Sequence, residues 1–233
     1  MFGYKATISM QSNLQCEMKG APMTVELVNV SKTIMRNQVL DHVSFHFDSP
    51  KIYGVTGRNG SGKTMLIRAI AGLLIPTSGQ VIVDGDVLHD KIDFPSSMGV
   101  TIENTTFPRD LTGFQNLVSL SKIKKTATTA DIKDAFRKVG LSENDWNTKV
   151  ANYSLGMRQK LSIAQAIFEK PKLLLLDEPT NGLDEESTWI LRNTLKVIAH
   201  AGSTVILASH DKEDIAYLSD EVIQIDGGKI VNN

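Results

Sequence analysis

Gly57-Arg58-Asn59-Gly60-Ser61-Gly62-Lys63-Thr64 satisfies every fixed position of the pattern G-x-x-x-x-G-K-[ST], which cradles phosphate groups. Residues 51–56, before it, suit a short buried strand, and residues 65–71, after it, have the composition of a helix. Strand, glycine-rich loop and helix form the context in which this pattern binds phosphate. A match by accident is expected in about one chain in a hundred of this size. We therefore predict that the loop binds a nucleotide.

The residue types of this loop explain its chemistry. Gly57, Gly60 and Gly62 let the backbone turn sharply, so that its N–H groups point at phosphate oxygens. The N-terminus of the following helix adds a partial positive charge. We expect Lys63 to neutralise the β- and γ-phosphates and the hydroxyl of Thr64 to hold Mg²⁺.

Length and charge narrow the class of protein. The 233 residues suit one α/β domain or two small lobes with a sizeable core. The formal net charge of −1 gives no electrostatic reason to expect nucleic acid or an anionic membrane surface as a partner. The single cysteine, Cys16, excludes an internal disulfide and fits a reducing compartment. No stretch reaches the roughly 20 apolar residues that span a bilayer. We find no secretory signal, and we expect a soluble, cytoplasmic chain.

The segments around the phosphate loop predict a small antiparallel sheet. Residues 1–23 show no clear period, so we expect a poorly ordered extension there and assign it no function. Residues 25–30 alternate apolar and polar side chains as a half-exposed strand does, and residues 39–47 repeat the pattern. Residues 80–85 predict another short strand that is closed by a turn.

Helical signals dominate residues 111–165. Apolar side chains recur at helical spacing in residues 130–139, with Gly140 as the stop, and again in residues 155–168. Ser154 stands at the position of an N-cap. The sequence therefore predicts a helical insertion in the middle of the chain.

Strands and helices alternate again after this insertion. Residues 173–176 and 204–209 predict buried parallel strands, with a helix at residues 185–200 between them. Residues 222–225 and 229–231 flank a turn and predict a hairpin. The predicted fold class is α/β, with a parallel sheet that helices cover on both faces.

Two acids follow the strand at residues 173–176. A phosphate loop needs a carboxylate on the metal side, and the carboxyl end of a neighbouring buried strand is the best place for it. We expect Asp177 to bind Mg²⁺ directly or through water. We expect Glu178 to take a proton from the water that attacks the γ-phosphate. The alternative is two acids in a surface turn, which the pairing with the phosphate loop disfavours.

An ordered set of motifs resembles the ATPase subunits of ABC transporters. Its members, in chain order, are the phosphate loop, Tyr153-Ser154-Leu155-Gly156-Met157, Leu173-Leu174-Leu175-Leu176-Asp177-Glu178-Pro179-Thr180, Asn181-Gly182-Leu183-Asp184 and Ser209-His210. The resemblance covers residues 24–231, which it implies to be one ATPase domain. It implies a P-loop NTPase core, with a mostly parallel sheet between helices. It also implies an N-terminal antiparallel β subdomain and a helical subdomain inserted at about residues 104–165.

The resemblance implies catalytic, metal-binding and ATP-binding roles for individual residues. Glu178 is the catalytic base, His210 is the switch histidine that touches the γ-phosphate, and Lys63 binds phosphate. The residues implied on the metal side are Thr64, Asp177 and Glu103. The residues implied to contact ATP are Gly57, Arg58, Asn59, Gly60, Ser61, Gly62, Lys63, Thr64, Met65, Ile34, Ser154, Gly156 and Asp184.

The resemblance gives Ser154 and Gly156 a role across a dimer. They fall at the serine and the second glycine of the family's signature. The resemblance implies that the helix beginning there faces the γ-phosphate held by the other subunit. Exposed N–H groups at a helix start favour an anion, which is consistent with that role. The alternative for Ser154 is an ordinary N-cap, and the two roles are compatible. Residues 181–184 match the loop that crosses the dimer interface.

Three departures from the family pattern affect these expectations. Glu103 stands where the family usually has glutamine, so it offers oxygen to Mg²⁺ or water but adds negative charge. Leu155 and Met157 replace a glycine and a glutamine of the signature, so contact with the ATP sugar is expected to differ. Ile34 aligns with the aromatic residue that usually stacks on adenine and provides less stacking energy. The variants around Glu103 and the signature together resemble exporters of bacitracin-type and lantibiotic peptides.

The resemblance implies an ATPase that clamps two ATP molecules between two subunits, identical or related. It would drive a separate membrane-spanning permease from the cytoplasmic face of the cell membrane, with no nucleic-acid partner. Docking is expected near residues 103–117, where Phe107, Leu111 and Phe114 either meet a permease helix or belong to the core. Two alternatives stay open: a soluble ABC-type ATPase outside transport, and an ATP-dependent clamp with little hydrolysis. The transported compound and its direction are left open, because the membrane subunit usually determines both.

Overall fold

A computed structural model of the chain describes residues 23–102 and 105–232. Within these ranges the chain forms ten strands and seven α-helices. In chain order they are β1 (Val25–Ile34), β2 (Asn37–Phe47), β3 (Ile52–Thr56), α1 (Lys63–Ile70), β4 (Ser78–Val83), β5 (Asp86–Val87), β6 (Met98–Thr101), α2 (Gly113–Lys124), α3 (Thr129–Lys138), α4 (Glu143–Trp146), α5 (Leu155–Ile167), β7 (Leu173–Asp177), α6 (Glu185–His200), β8 (Thr204–Ala208), α7 (Lys212–Leu218), β9 (Glu221–Asp226) and β10 (Lys229–Asn232). A short 3-10 helix, Val150–Asn152, precedes α5.

The first sheet is antiparallel and has the strand order β2-β1-β4-β5. Val25 of β1 lies opposite Phe47 on one side and Val83 on the other, so the alternating apolar residues of these strands face the same core. This confirms the predicted antiparallel sheet. Met23, which we assigned to the extension, is buried in that core, and the rest of that extension, residues 1–22, lies outside the described residues.

The second sheet has the order β10-β9-β3-β8-β7-β6. Its strands from β9 to β6 run parallel, and β10 returns antiparallel beside β9 as the predicted hairpin. Every residue of β7 and β8 is buried, as an apolar strand inside a parallel sheet requires. The carboxyl ends of β3 and β7 therefore open on the same edge of the sheet, with β8 between them.

Two apolar cores cover the two faces of this parallel sheet. One lies between the two sheets and includes Leu66, Ile67 and Ile70 of α1. The other lies under the helices of the middle segment and includes Phe136 of α3 and Leu161 of α5. Successive side chains of a strand point to opposite faces of the sheet, which explains the division. Leu173 and Leu175 of β7 face the first core, and Leu174 and Leu176 face the second.

The helices between β6 and β7 include the two that the sequence predicted. Helix α3 ends before Gly140, whose φ of 67° is the left-handed conformation of a helix stop. Helices α2 and α4 were not predicted, because α2 buries only Gly113, Asn116 and Leu117 and so has a weak apolar period. Its usable signal was the capping box of Thr112 with Gln115.

Of the three apolar residues that we associated with docking, the two phenylalanines are buried or partly buried. Phe107 is buried in the core under the helices, and Phe114 is partly buried and packs against it. Leu111 is half-buried. These positions favour the core interpretation for the two phenylalanines. Among the described residues, no helix is both long enough and apolar enough to cross a bilayer.

Gly99 of β6 determines how closely the sheet and α5 approach. A Cβ atom at Gly99 would lie 1.8 Å from the carbonyl oxygen of Ala166. We expect Gly99→Ala to lower the free energy of unfolding by about 3 kcal/mol or more, because the backbone of α5 must move away. The melting temperature should fall by about 6–12 °C.

The control for this prediction is Lys133→Ala on the exposed face of α3, which should change stability by less than about 0.5 kcal/mol. Urea and thermal unfolding of the three proteins provide the measurement. Equal stability of Gly99→Ala and the unmodified chain would show that β6 and α5 do not pack this closely.

Candidate functional site

The loop between β3 and α1 is held in a turn that only glycine accommodates. Gly62 has a φ of 115°, and a Cβ atom there would lie 2.7 Å from the carbonyl oxygen of Val39. A Cβ atom at Gly57 would lie 2.2 Å from the carbonyl oxygen of Ile225. The loop is therefore clamped between β2 and β9, and its shape is set before any ligand arrives. Buried Ser61 contributes a hydroxyl that has no hydrogen-bond partner among the described residues.

Lys63 lies folded over this loop. Its ammonium group donates to the carbonyl oxygens of Gly57, at 2.8 Å, and Arg58, at 3.3 Å. Only 6% of the residue is exposed, and these bonds hold its positive charge against the phosphate loop. A cation held this way at a helix N-terminus attracts an anion.

Thr64 and Asp177 meet at the carboxyl edge of the sheet. The Thr64 hydroxyl donates to Asp177 Oδ2 at 2.8 Å, across 113 positions of sequence. Asp177 is 4% exposed at the end of β7. A hydroxyl and a carboxylate are the hard oxygen donors that Mg²⁺ prefers, so the donor set fits that ion. No group of three or more acidic, His or Cys side chains in the described ranges could hold a metal ion by itself.

Glu178 follows Asp177 in an unusual backbone conformation. Its φ is 49°, which is left-handed and uncommon for a residue with a side chain. Its backbone N–H donates to the carbonyl oxygen of Ala208, and its Oε2 lies 2.7 Å from Nδ1 of His210. The backbone N–H of His210 also donates to that oxygen, at 3.3 Å. Two neighbouring strand ends, β7 and β8, thus bring a carboxylate and an imidazole together.

These groups line one cleft of about 510 Å³. The predicted residues that line it are Asn59, Gly60, Ser61, Gly62, Lys63, Thr64, Met65, Asp177, Glu178 and His210. The volume and the polar lining suit a phosphate-bearing ligand.

Three further residues line the cleft, and sequence reasoning had not assigned them to it. Arg68 lies one helical turn after Thr64, so helical periodicity was an available signal. Asn181 lies in the loop that follows Glu178, which the resemblance assigned to a dimer interface rather than to this cleft. Val39 arrives from β2, which no local pattern connects with the phosphate loop.

Some predicted residues lie elsewhere. Ile34 is 38% exposed at the end of β1 and does not line the cleft. Ser154, Gly156 and Asp184 do not line it either. Glu103 lies outside the described residues.

Ser154 caps α5, as its position in the sequence predicted. Its hydroxyl accepts a hydrogen bond from the backbone N–H of Met157 at 3.1 Å. Ser154 is exposed, and the side chain of Leu155 beside it is also exposed. The N-terminus of α5 thus faces outward from the chain that carries it.

Gln159, one turn further along α5, connects this helix with the acid-bearing turn. Its side-chain amide donates to the carbonyl oxygens of Pro179, at 2.9 Å, and Glu178, at 3.3 Å. These bonds act on the backbone of the turn rather than on the Glu178 carboxylate. The helix that starts at Ser154 and the turn that carries Glu178 are therefore joined by direct hydrogen bonds.

Asp184 caps α6. Its Oδ1 accepts from the backbone N–H of Ser187 at 2.7 Å. Hydrogen bonds from Ser187 hold the pKa of the Asp184 carboxyl below its usual value.

Tyr153, which precedes the α5 cap, is buried, and burial raises the pKa of its hydroxyl to about 12.

Residues 40–181 match the protein family described as "ABC transporter", which is more than half of the chain. The chain belongs to the ABC transporter ATPase family. The predicted family and the predicted class of enzyme are thereby confirmed.

Three curated relatives illustrate the match. The chain is 47% identical over 206 residues to the ABC transporter ATP-binding protein YybJ of Bacillus subtilis, covering 88% of this chain and 94% of the relative. It is 35% identical over 210 residues to the bacitracin transport ATP-binding protein BcrA of Enterococcus faecalis, covering 89% and 68%. It is 31% identical over 207 residues to the lantibiotic transport ATP-binding protein SrtF of Streptococcus pyogenes, covering 89% of each.

Solved structures share the fold. The dimeric ABC transporter cassette MJ0796 superposes with a TM-score of 0.81 at 23% identity, covering 89% of this chain and 97% of that one. A dimeric post-hydrolysis state of MJ0796 bound to ADP and Pi has a TM-score of 0.82 at 22% identity, with the same coverage. The predicted fold class, a P-loop NTPase core with antiparallel and helical parts, is confirmed.

The cap at Asp184 predicts an acid-sensitive contribution to stability. The lowered pKa of this carboxyl means that its contribution is complete above the unfolded pKa of about 3.9. The contribution is lost as the pH falls through the lower folded value. We expect Asp184→Ala to lower the urea midpoint at pH 7, and the difference from the unmodified chain to shrink as the pH falls below about 4.

Glu186→Ala is the matched control, because Glu186 lies in the same first turn and is not the cap. Its effect at pH 7 should be the smaller of the two. A difference between Asp184→Ala and the unmodified chain that stays constant down to pH 2 would contradict the assignment of an ionised cap.

Proposed function

We propose that this chain is the ATP-binding and ATP-hydrolysing subunit of a transporter. Two such subunits would close around two ATP molecules and drive a separate membrane-spanning subunit. The observation that carries the proposal is the convergence, in one cleft, of the glycine loop, the Thr64–Asp177 contact and the Glu178–His210 pair. Each of the three is a part that phosphoryl transfer requires.

The phosphate groups of ATP bind at the loop. Backbone N–H groups of residues 57–64 and the α1 N-terminus face the β- and γ-phosphates, and Lys63 transfers its hydrogen bonds from loop carbonyls to phosphate oxygens. The hydroxyl of Ser61, which has no hydrogen-bond partner in the part of the chain that the structure describes, fits the same role as a phosphate donor. Ile34 is proposed to cover the adenine ring from the end of β1, as an exposed apolar side chain can.

The metal site is formed by Thr64 and Asp177, with Glu103 proposed as a further oxygen near the metal or its water. Bound there, Mg²⁺ supplies charge neutralisation to the β- and γ-phosphate oxygens. Thr64 stands at the first turn of α1 and Asp177 at the end of β7, so the two ligands come from rigid elements.

Hydrolysis uses Glu178 as the general base. Its carboxylate takes a proton from water while the water oxygen bonds to the γ-phosphorus and the bond to the bridging oxygen of ADP breaks. The Nδ1 of His210 lies 2.7 Å from Glu178 Oε2 and orients that carboxylate. His210 is 58% exposed at its side chain, so the imidazole can also reach a γ-phosphate in the cleft.

The second subunit completes the site through Ser154 and Gly156. The outward-facing N-terminus of α5 would present its free N–H groups to the γ-phosphate held by the partner. Asp184 lies in the adjacent loop and would approach the same interface. MJ0796, whose fold this chain shares, is described as dimeric in both of its structures, which supports this arrangement.

The transported compound is proposed to be a peptide antibiotic. The proposal rests on relatives that are named for bacitracin and lantibiotic transport. The permease would be a separate subunit, and the chain would sit on the cytoplasmic face of the membrane beside it. Co-purification of a multispan membrane protein with this chain would favour transport over a soluble ATPase function.

The first test is Glu178→Gln, which removes the base and keeps the size of the side chain. We expect the variant to bind ATP and dimerise while kcat falls by about 10²- to 10⁴-fold. Steady-state ATP turnover, nucleotide binding and gel filtration with ATP provide the measurements. Glu143→Gln, on the surface at α4, is the control and should keep full turnover. Equal turnover in Glu178→Gln and the unmodified chain would remove Glu178 from the base role.

The second test concerns the interface. We expect Ser154→Arg to leave ATP affinity of the monomer within about twofold, because Ser154 does not line the cleft of its own chain. ATP-driven dimerisation should be lost, since a long cation blocks the N-terminus of α5. Ser119→Arg, on the exposed face of α2, should dimerise normally. Loss of monomer affinity in Ser154→Arg would count against action across the interface.

A further inference from the structure

One fully buried acid, Asp214, lies beside residues 178–180, the turn after β7 that carries Glu178 and is called the catalytic turn below. Asp214 of α7 has no exposed surface, and its carboxylate accepts two hydrogen bonds and forms an ion pair. Arg192 of α6 donates to Oδ1 from Nε at 2.7 Å, and its second nitrogen lies 2.6 Å from the same atom. Thr180 donates from its hydroxyl to Oδ2 at 2.5 Å. A buried carboxylate is costly unless it is paired, so this cluster has a defined geometry.

The three residues of this cluster, Thr180, Asp214 and Arg192, belong to three segments next to the proposed site of hydrolysis. Thr180 lies two residues after Glu178, in the turn that leaves β7. Asp214 lies four residues after His210, in the helix that follows β8. Arg192 lies in α6, which begins at the Asp184 cap. A single carboxylate therefore joins the segment of the proposed base, the segment of the switch histidine and the helix after the interface loop.

The turn that carries Glu178 needs such support. The left-handed backbone of Glu178, with a φ of 49°, is a conformation that persists only where the surroundings impose it. The Thr180–Asp214 bond holds the far side of that turn, and the Gln159 amide holds its carbonyls from α5. Loss of the Thr180 bond would remove one of these restraints, and a shift of the turn would move the Glu178 carboxylate with it.

The segment of His210 is tied to the same acid. Asp211 caps α7 by accepting from the backbone N–H groups of Glu213 and Asp214, and its own N–H donates to buried Ser209. Hydrogen bonds therefore connect the segment from Ser209 to Asp214. A fixed contact between Asp214 and Thr180 would in turn constrain how far His210 lies from Glu178.

We propose that Asp214 is a positioning residue for ATP hydrolysis, acting through Thr180 on Glu178 and through α7 on His210. It touches neither substrate nor reacting atoms. The inference rests on the proposed function, because it assigns to the cluster the placement of the base that the proposal names. A base displaced by about 1 Å can lower the rate by about 100-fold.

The test is Thr180→Val, which removes one hydroxyl at nearly constant volume. Steady-state turnover is measured on the full chain well below its melting temperature. We expect kcat to fall by about 10- to 100-fold, with KM for ATP unchanged within about twofold, because the phosphate loop is not affected. Thr180→Ser, which keeps the hydroxyl, should restore turnover to within about threefold. A kcat of Thr180→Val equal to that of the unmodified chain would overturn the proposal.

Thr194→Val separates positioning from stability. The Thr194 hydroxyl of α6 also donates a partly buried hydrogen bond, to the carbonyl oxygen of Lys138 at 2.7 Å. Its recorded partner among the described residues lies in α3, away from the turn that carries Glu178. Thr194→Val should lower the melting temperature and leave kcat unchanged. If both valine variants lost kcat in proportion to their melting temperatures, the cluster would be only structural and the proposal would fail.

A double variant connects the effect to the base. In single-turnover measurements, Thr180→Val added to Glu178→Gln should lower the remaining rate by less than about twofold, because residues that act as a unit are not additive. A further loss of tenfold or more in the double variant would show that Thr180 acts independently of Glu178. An unmodified chain that does not hydrolyse ATP would instead sink the proposed function itself, so the two failures are distinguishable.

Discussion

The hydrogen bond between Thr64 and Asp177 is the contact on which the whole site depends. Thr64 lies in the first turn of α1, the helix after β3, and Asp177 ends β7, while β8 runs between β3 and β7. Helix α1 contacts both β7 and β8, and this packing brings Thr64 within reach of Asp177. That packing requires fully apolar strands below it and a loop of fixed shape before it. The cleft is therefore a consequence of sheet order as much as of the motif.

Local sequence was sufficient for the parts whose chemistry is local. The glycine loop, the apolar β7 strand with its two acids, and the Ser154 cap each follow from residue types at short spacing, and the structure contains all three. Helix α7 and strand β6 were not predicted, because seven and four residues are too short to establish a period. The long-range contacts were beyond reach for a different reason. Val39 meets the phosphate loop because β2 of the antiparallel sheet contacts α1. Asp214 meets Thr180 because β7 and β8, the strands before their two segments, are neighbours.

Capping side chains do two things at once in this fold. Ser154 and Asp184 each satisfy an N–H group at the start of a helix, which stabilises the chain without any ligand. A cap leaves the other N–H groups of the first turn free, and those groups are the ones that attract an anion. The structure shows the cap at Ser154, and this geometry is compatible with the proposed role of Ser154 as a site residue. A helix start that is well capped and exposed is already suited to a phosphate brought by another molecule.

The departure at Leu155 has a structural counterpart in the loop after β7. A Cβ atom at Gly182 would lie 2.8 Å from Cδ2 of Leu155, so the leucine side chain rests where Gly182 has none. The φ of 79° at Gly182 adds a second reason for glycine at that position. The start of α5 and the loop that leads to α6 thus pack as one surface, which the Gln159 bonds to the catalytic turn reinforce. In the proposed dimer, a subunit that docks on this face would therefore meet both segments together, next to the turn that carries Glu178.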